Sequence, residues 1–155
     1  LDAWENFRFR GDFDLIIAGA SGWAGEKTLT RLVGKPKGVR YLGYVPEDEL
    51  PGLTAGASAF VYPSLYEGFG FPVAQAMAAG VPVITSNTSC LPEVAGGSAL
   101  LVDPRSAAEI QSAMEKLLTS PELRQELGAA GIARARREFR WNVCARKSLD
   151  FFHRA

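Results

Sequence analysis

The stretch YEGFGFPVAQAMAAGVPVIT, residues 66–85, decides the fold. An apolar run that reads as a strand, AFVYPS (59–64), leads into it, and a second, VPVIT (81–85), closes it. Between them Glu67 is followed by Gly68 and Gly70, and Pro72 is expected to open the small-residue helix VAQAMAA. A strand that runs through a glycine turn into a helix N-terminus is how α/β proteins hold phosphate. Glycine lets the backbone approach closely, and the unpaired N–H groups and helix dipole favour negative charge. Proline suits the first helical position, where its missing N–H costs nothing. A carboxylate in such a turn repels a bare phosphate. It suits a ligand that also carries hydroxyl groups, and so points to a sugar joined to a diphosphate.

Working outward, strand-like and helical segments alternate. DFDLIIAG (12–19), VRYLGYV (39–45) and ALLVD (99–103) read as further strands. GEKTLTRLV (25–33) reads as a short helix, and PEDELPGLTAGA (46–57) as a helix with an irregular middle at Pro51 and Gly52. This order predicts an α/β, Rossmann-like doubly wound parallel sheet with helices on both faces and the ligand beyond the strand carboxyl ends. The Glu67 loop, the Val45 turn and the Asn87 loop all follow strands and are expected to converge there. The last third is helical. Ile110, Ala113, Met114, Leu117 and Leu118 repeat at helical spacing, as do Leu123, Leu127 and Ala130. Trp141, Cys144, Ala145, Leu149 and Phe152 form the stripe of a final helix and are expected to pack in a core. Arg134, Arg136, Arg137 and Arg140 read as a solvated helix face.

The stretch 66–85 resembles the donor-binding segment of the family-four, mostly retaining glycosyltransferases, enzymes of two-domain GT-B architecture with the pattern EGFGLPxxEAMAxGxPV. Glu67, Gly68, Phe69 and Gly70 match its first half, and Ala76, Met77, Ala78, Gly80, Pro82 and Val83 its second. Gln75 departs from the second acidic position. NTSCLPEVAGGSALLVDP (87–104) and GYVPEDELPGLTAGA (43–57) are similar to the segments that follow and precede it.

The resemblance implies that Glu67 bonds the sugar hydroxyls as the catalytic-site carboxylate. It also implies that Gly43, Tyr44 and Val45 lie near the base, and that Gln75 stands where a carboxylate holds the ribose. Asn87, Thr88 and Ser89 would lie near the sugar and diphosphate, although Ser89 also suits the cap of a helix at LPEV. The main-chain N–H groups of Phe69, Gly70 and Phe71 are the candidates for the phosphates. The donor expected is a nucleoside-diphosphate hexose, of GDP-mannose or UDP- or ADP-glucose type. The acceptor expected is a glycan or lipid, with no cofactor and no metal required.

Bulk properties agree with one soluble domain. The 155 residues hold 17 Lys plus Arg against 17 Asp plus Glu, 47% hydrophobic and 22% charged residues. No net field draws in nucleic acid. Cys90, Cys144 and the lone His153 do not have zinc-ligand spacing, and two free thiols fit a cytoplasmic protein. The full enzyme is expected in the cytoplasm, with peripheral contact at the inner membrane face.

Residues 1–155 are expected to be a single domain, a C-terminal donor-binding half without its first strand or the N-terminal acceptor domain. The chain opens in a helix, with Leu1, Trp4 and Phe7 on one face, which in the resembled family follows a first strand and a basic Gly-rich loop. Exposed apolar surface is therefore expected around Phe139 and Trp141. Two other readings stay open. GASGWAG (19–25), with Glu47 downstream, fits the glycine fingerprint of a dinucleotide-binding dehydrogenase. A non-catalytic binding module is the other.

Overall fold

The computed structural model describes residues 1–20, 26–34 and 37–153. Along the chain run α1 (Asp2–Glu5), β1 (Leu15–Ala18), α2 (Glu26–Val33), β2 (Val39–Gly43), α3 (Leu50–Ala55), β3 (Phe60–Tyr62) and α4 (Phe71–Ala78). Next come β4 (Val83–Ser86), α5 (Leu91–Ala95), β5 (Ala99–Val102), α6 (Ala107–Thr119), α7 (Pro121–Glu138) and α8 (Trp141–Phe152).

All strand pairs are parallel, as the alternation with helices requires. Tyr62 pairs with Thr85 and Ser86 with Val102 in the order β3-β4-β5, while Leu15 pairs with Val39 in a separate β1-β2 pair. The α/β reading is correct, but hydrogen bonding divides the expected single sheet into these two. Both border one core: Leu15 and Val39 from one sheet, and Val61 and Leu100 from the other, pack on Trp4, Phe7, Ile84, Met114 and Leu117.

β4 explains how a second core forms on the opposite face. Alternate residues of a strand point to opposite sides, and all four residues of β4 are buried. Ile84 enters the first core with α1 and α6, while Val83 enters the second with Val73, Met77 and Leu91 from α4 and α5. Full burial of a side chain such as Phe7, Met77 or Leu91 is worth about 1.5–3 kcal/mol. The other buried β4 side chains, Thr85 and Ser86, are polar and must find partners.

Helix α7 lies close on α4 because its facing residues are glycines. A Cβ at Gly128 would come within 2.5 Å of the Gly80 carbonyl oxygen, and one at Gly131 within 3.3 Å of Met77. Ser120 caps α7 by accepting from the Leu123 N–H, and Ser106 caps α6 in the same way from Glu109.

Three expectations need correction. Pro51 and Gly52 do not interrupt a helix: α3 begins at Leu50, which puts both in its first turn, where an N–H is not needed. Likewise α4 begins at Phe71, one residue before Pro72. The stripe of α8 is not core. No α8 residue is buried, and Trp141 is 88% and Phe152 72% exposed. The apolar surface expected around the end of α7 is thus present at Trp141, while Phe139 is half-buried beside Phe69 at the second core. His153 is exposed and both cysteines are free thiols. Among the described residues no helix is long and apolar enough to cross a membrane.

Candidate functional site

The site forms where β3 and β4 end. Beyond β3 the chain bends at Leu65 and brings Glu67 back to the end of the strand it has just left. The Tyr62 hydroxyl donates to Glu67 Oε1 at 2.7 Å and the Ser64 hydroxyl donates to the same oxygen at 2.8 Å. Bonds to an ionised acceptor are about twice as strong as neutral ones. Ser64 also lies 3.2 Å from the Tyr66 carbonyl, but a hydroxyl has one proton, and the shorter, charge-assisted bond takes precedence. Among the described residues Oε2 of Glu67 receives no hydrogen bond, so one carboxylate oxygen is fixed and the other is left to accept from a ligand.

The two buried hydroxyls of β4 hold this arrangement from below. Thr85 Oγ1 donates to the Tyr62 carbonyl at 2.9 Å and Ser86 Oγ to the Ser64 carbonyl at 2.6 Å. Each therefore satisfies its own polar group while it supports a residue that grips Glu67. Tyr62 is affected in turn: burial, and then the hydrogen bond to Glu67, push its phenol up to about 12.

The main chain of Glu67 is held from the Asn87 loop. Ser89 Oγ accepts from the Glu67 N–H at 3.2 Å and donates to the Glu67 carbonyl at 2.8 Å, and Cys90 Sγ donates to that carbonyl at 3.2 Å. Ser89 makes this double contact with φ at 58°, a left-handed conformation unusual for a residue with a side chain. Strain of this kind costs about 1–3 kcal/mol and concentrates at functional sites. Ser89 is therefore no helix cap; Cys90 occupies the cap position of α5.

After Glu67 the loop approaches α5 closely. Gly70 has φ of 87°, and a Cβ there would lie 2.5 Å from Leu91 Cδ2, so both conformation and space require glycine. Its carbonyl starts α4 by accepting from Val73 and Ala74. Among the described residues the N–H groups of Gly68, Phe69 and Gly70 make no hydrogen bond within the protein, which leaves a run of donors at a helix N-terminus. The Phe69 ring packs edge-on against Phe139 at 5.5 Å and anchors the run to the second core.

Gln75 lies exposed on α4 and lines a groove of about 830 Å³ together with Gly68, Phe71, Cys90, Arg136 and Trp141. It shares this groove with the glycine loop, as its place on the helix suggested. Asn87 is exposed, its N–H donating to Val102, and Thr88 makes a long 3.4 Å contact with the Leu65 carbonyl. Gly43 (φ 68°), Tyr44 and Val45 stand at the carboxyl end of β2, in the other sheet. Among the described residues no hydrogen bond joins them to the Glu67 loop. Residues 21–25, the core of the glycine fingerprint GASGWAG, lie outside the described residues; Glu47 is exposed in the turn after β2.

Residues 1–134 match the family model of the glycosyl transferases group 1. The chain belongs to that family. It is 41% identical over 143 residues to O-antigen chain mannosyltransferase B of Escherichia coli, a match that covers 90% of this chain and 37% of the relative. It is 34% identical over 149 residues to the GDP-mannose-dependent alpha-(1-6)-phosphatidylinositol monomannoside mannosyltransferase of Mycobacterium tuberculosis, covering 88% and 38%. This glycosyltransferase chain thus spans under two-fifths of the length of these relatives. Its fold is that of the GT-B structures: it superposes on the Anabaena HepE protein, solved with UDP and glucose, with a TM-score of 0.79 at 18% identity, over 92% of this chain and 41% of that one.

At this candidate site, sequence reasoning singled out Glu67 and the glycine loop but not Tyr62 and Ser64, which bond Glu67. Strand alternation was the available signal, since both fall on one face of AFVYPS just before Glu67. It also read Arg134 as solvated. The guanidinium instead donates to the Val94 carbonyl at 2.7 Å and to the Glu93 carbonyl, occupies the space a Cβ of Gly96 would take, and sits 5.6 Å from the Phe139 ring centroid. It closes the C-terminus of α5, the helix whose opening residues hold Glu67.

Proposed function

We propose that this chain is the nucleotide-sugar-binding part of a mannosyltransferase, with a nucleoside-diphosphate hexose of the GDP-mannose type as donor. One observation carries the reading. Among the described residues, main-chain donors without partners at Gly68, Phe69 and Gly70 stand ahead of α4, beside a carboxylate with one oxygen still open. The donors suit the diphosphate and the open oxygen suits sugar hydroxyls. Mannose is favoured over glucose because both relatives above are mannosyltransferases, and GDP over UDP or ADP because the Mycobacterium tuberculosis relative is GDP-mannose-dependent.

In this mechanism the loop N–H groups stabilise the charge that builds on the departing diphosphate, and Glu67 orients the sugar as its anomeric carbon gains positive character. Gln75 takes the ribose as a neutral amide, with one bond accepted and another donated. The resemblance further suggests transfer with retention and without an obligatory metal. The remaining length of the full protein supplies the acceptor wall of the cleft. It also supplies the strand between β1 and β3, the place that the first strand holds in the doubly wound order.

Calorimetric titration of the chain with GDP, UDP, ADP, NAD and GDP-mannose tests the reading. GDP is expected to bind at about millimolar strength, roughly 4 kcal/mol, and GDP-mannose more tightly. Glu67→Ala is expected to weaken GDP-mannose about tenfold or more, the worth of a hydrogen bond to a charged group, and GDP much less. Equal losses for the two ligands would show that Glu67 does not touch the sugar. NAD binding alone would replace the proposal with the dehydrogenase reading.

A further inference from the structure

We infer that Tyr62 is a positioning residue of the donor site, which together with Ser64 occupies Oε1 of Glu67 so that Oε2 alone faces the sugar. The inference rests on the donor-site reading of Glu67 and adds how that carboxylate is made selective. A glutamate at the tip of a loop has three side-chain torsions to fix, and loses its orienting value if it samples several rotamers. Here the phenol at 2.7 Å and the hydroxyl at 2.8 Å converge on one oxygen. Two donors on one carboxylate oxygen use both of its lone-pair directions. A ligand hydroxyl that comes to Oε1 must then displace one of them.

The two donors have different supports, which makes the grip rigid. Tyr62 is the last residue of β3, its backbone paired with Thr85 of β4. Its carbonyl takes the hydroxyl of buried Thr85, and the carbonyl of Ser64 takes that of buried Ser86. The orientation of Glu67 is thereby referred to the interior strand of the three-stranded sheet rather than to its own loop. Sites placed on regular elements hold geometry more closely than sites on loops. The Tyr62 phenol, pushed up to about 12 by burial and by its bond to Glu67, stays protonated and remains a donor at neutral pH.

A positioning role differs from a structural one in what it couples to. Removal of the phenolic oxygen in Tyr62→Phe keeps the ring and its stacking on Phe60, at 6.0 Å between centroids, but frees Oε1. GDP carries no hexose for Glu67 to orient, so the ratio of GDP-mannose to GDP affinity is the informative quantity. In Tyr62→Phe that ratio is expected to fall about fivefold or more, within the coupling range for residues in contact. In the Glu67→Ala background, where there is nothing to orient, the same change is expected to leave the ratio within about twofold.

The test is a calorimetric cycle of four chains, unaltered, Tyr62→Phe, Glu67→Ala and the double variant, each titrated with GDP and GDP-mannose. In addition, the tyrosine Cζ resonance of Tyr62 is followed by NMR without ligand. Support requires a lowered ratio in Tyr62→Phe, no further fall in the double variant, and a Tyr62 resonance that moves in Glu67→Gln. If Glu67→Ala lowers the ratio and Tyr62→Phe does not, the positioning role is wrong while the donor-site reading stands. An equal effect of Tyr62→Phe with and without Glu67 makes Tyr62 merely structural and also overturns the inference. If Glu67→Ala itself leaves the ratio unchanged, the donor-site reading fails and the inference falls with it.

Discussion

Replacement of Arg134 by alanine is expected to destabilise the chain by unfastening the C-terminal end of α5. The guanidinium bonds the carbonyls of Glu93 and Val94, near the C-terminus of α5, where a cation also meets the negative end of the helix dipole. A hydrogen bond to a charged group is worth about 1.5–3 kcal/mol when shielded. Arg134 is only half-buried, and the freed carbonyls can recover water, so each bond is discounted to about 1 kcal/mol of net loss. The cation–π contact with Phe139 adds about 0.5–1 kcal/mol. The sum is about 2–3 kcal/mol, which lowers the melting temperature of a chain of this size by roughly 4–12 °C.

Gly96 gives the control. Alanine there would push its Cβ into the guanidinium, so Gly96→Ala and Arg134→Ala damage the same contact. Their effects on urea unfolding should be less than additive by about 1 kcal/mol or more. A loss below about 0.5 kcal/mol in Arg134→Ala, the level of an ordinary surface change, would refute the reasoning. Strict additivity of the two variants would do the same.

Further outcomes follow from the same contacts. Gly128→Ala should gain about 1 kcal/mol in helix propensity, yet the clash with the Gly80 carbonyl should reverse the sign and lower the melting temperature; a higher one would contradict the close packing of α7 on α4. The phenol of Tyr62 is raised above its ordinary value of 10, so its contribution to stability is complete below pH 10 and is lost as pH rises through about 12. The stability difference between the unaltered chain and Tyr62→Phe, measured by urea unfolding, should shrink across that interval; a constant difference would mean that Tyr62 is not so perturbed. The isolated chain should transfer no sugar, because two substrates must be held in one cleft; turnover in a direct transfer assay with GDP-mannose would disprove this.

The sequence made the architecture legible wherever a local rule operated alone. Among the described residues, apolar runs marked each strand from β1 to β5, and the glycine turn before α4 marked the loop whose N–H groups have no partner. The rule failed where a distant partner intervened. Arg134 looks like one more exposed cation among Arg136, Arg137 and Arg140 until α5 is brought against α7, forty residues away in the chain. Ser89 has the composition of a helix cap, but the backbone turns left-handed there and sends its hydroxyl to Glu67 instead. The division into two sheets was invisible because strand propensity says nothing about which edges meet. The α8 stripe shows the reverse case: its periodicity is genuine, and among the described residues no buried surface receives it.

The central claim is that the turn from Glu67 to Phe71 holds a diphosphate. The most direct test is an amide NMR titration of the chain with GDP. The account predicts that the N–H resonances of Gly68, Phe69 and Gly70 move first and furthest, with smaller shifts at Ser89 and Cys90 through the Glu67 main chain. Saturable shifts confined to another surface, or none in this loop at millimolar GDP, would contradict it.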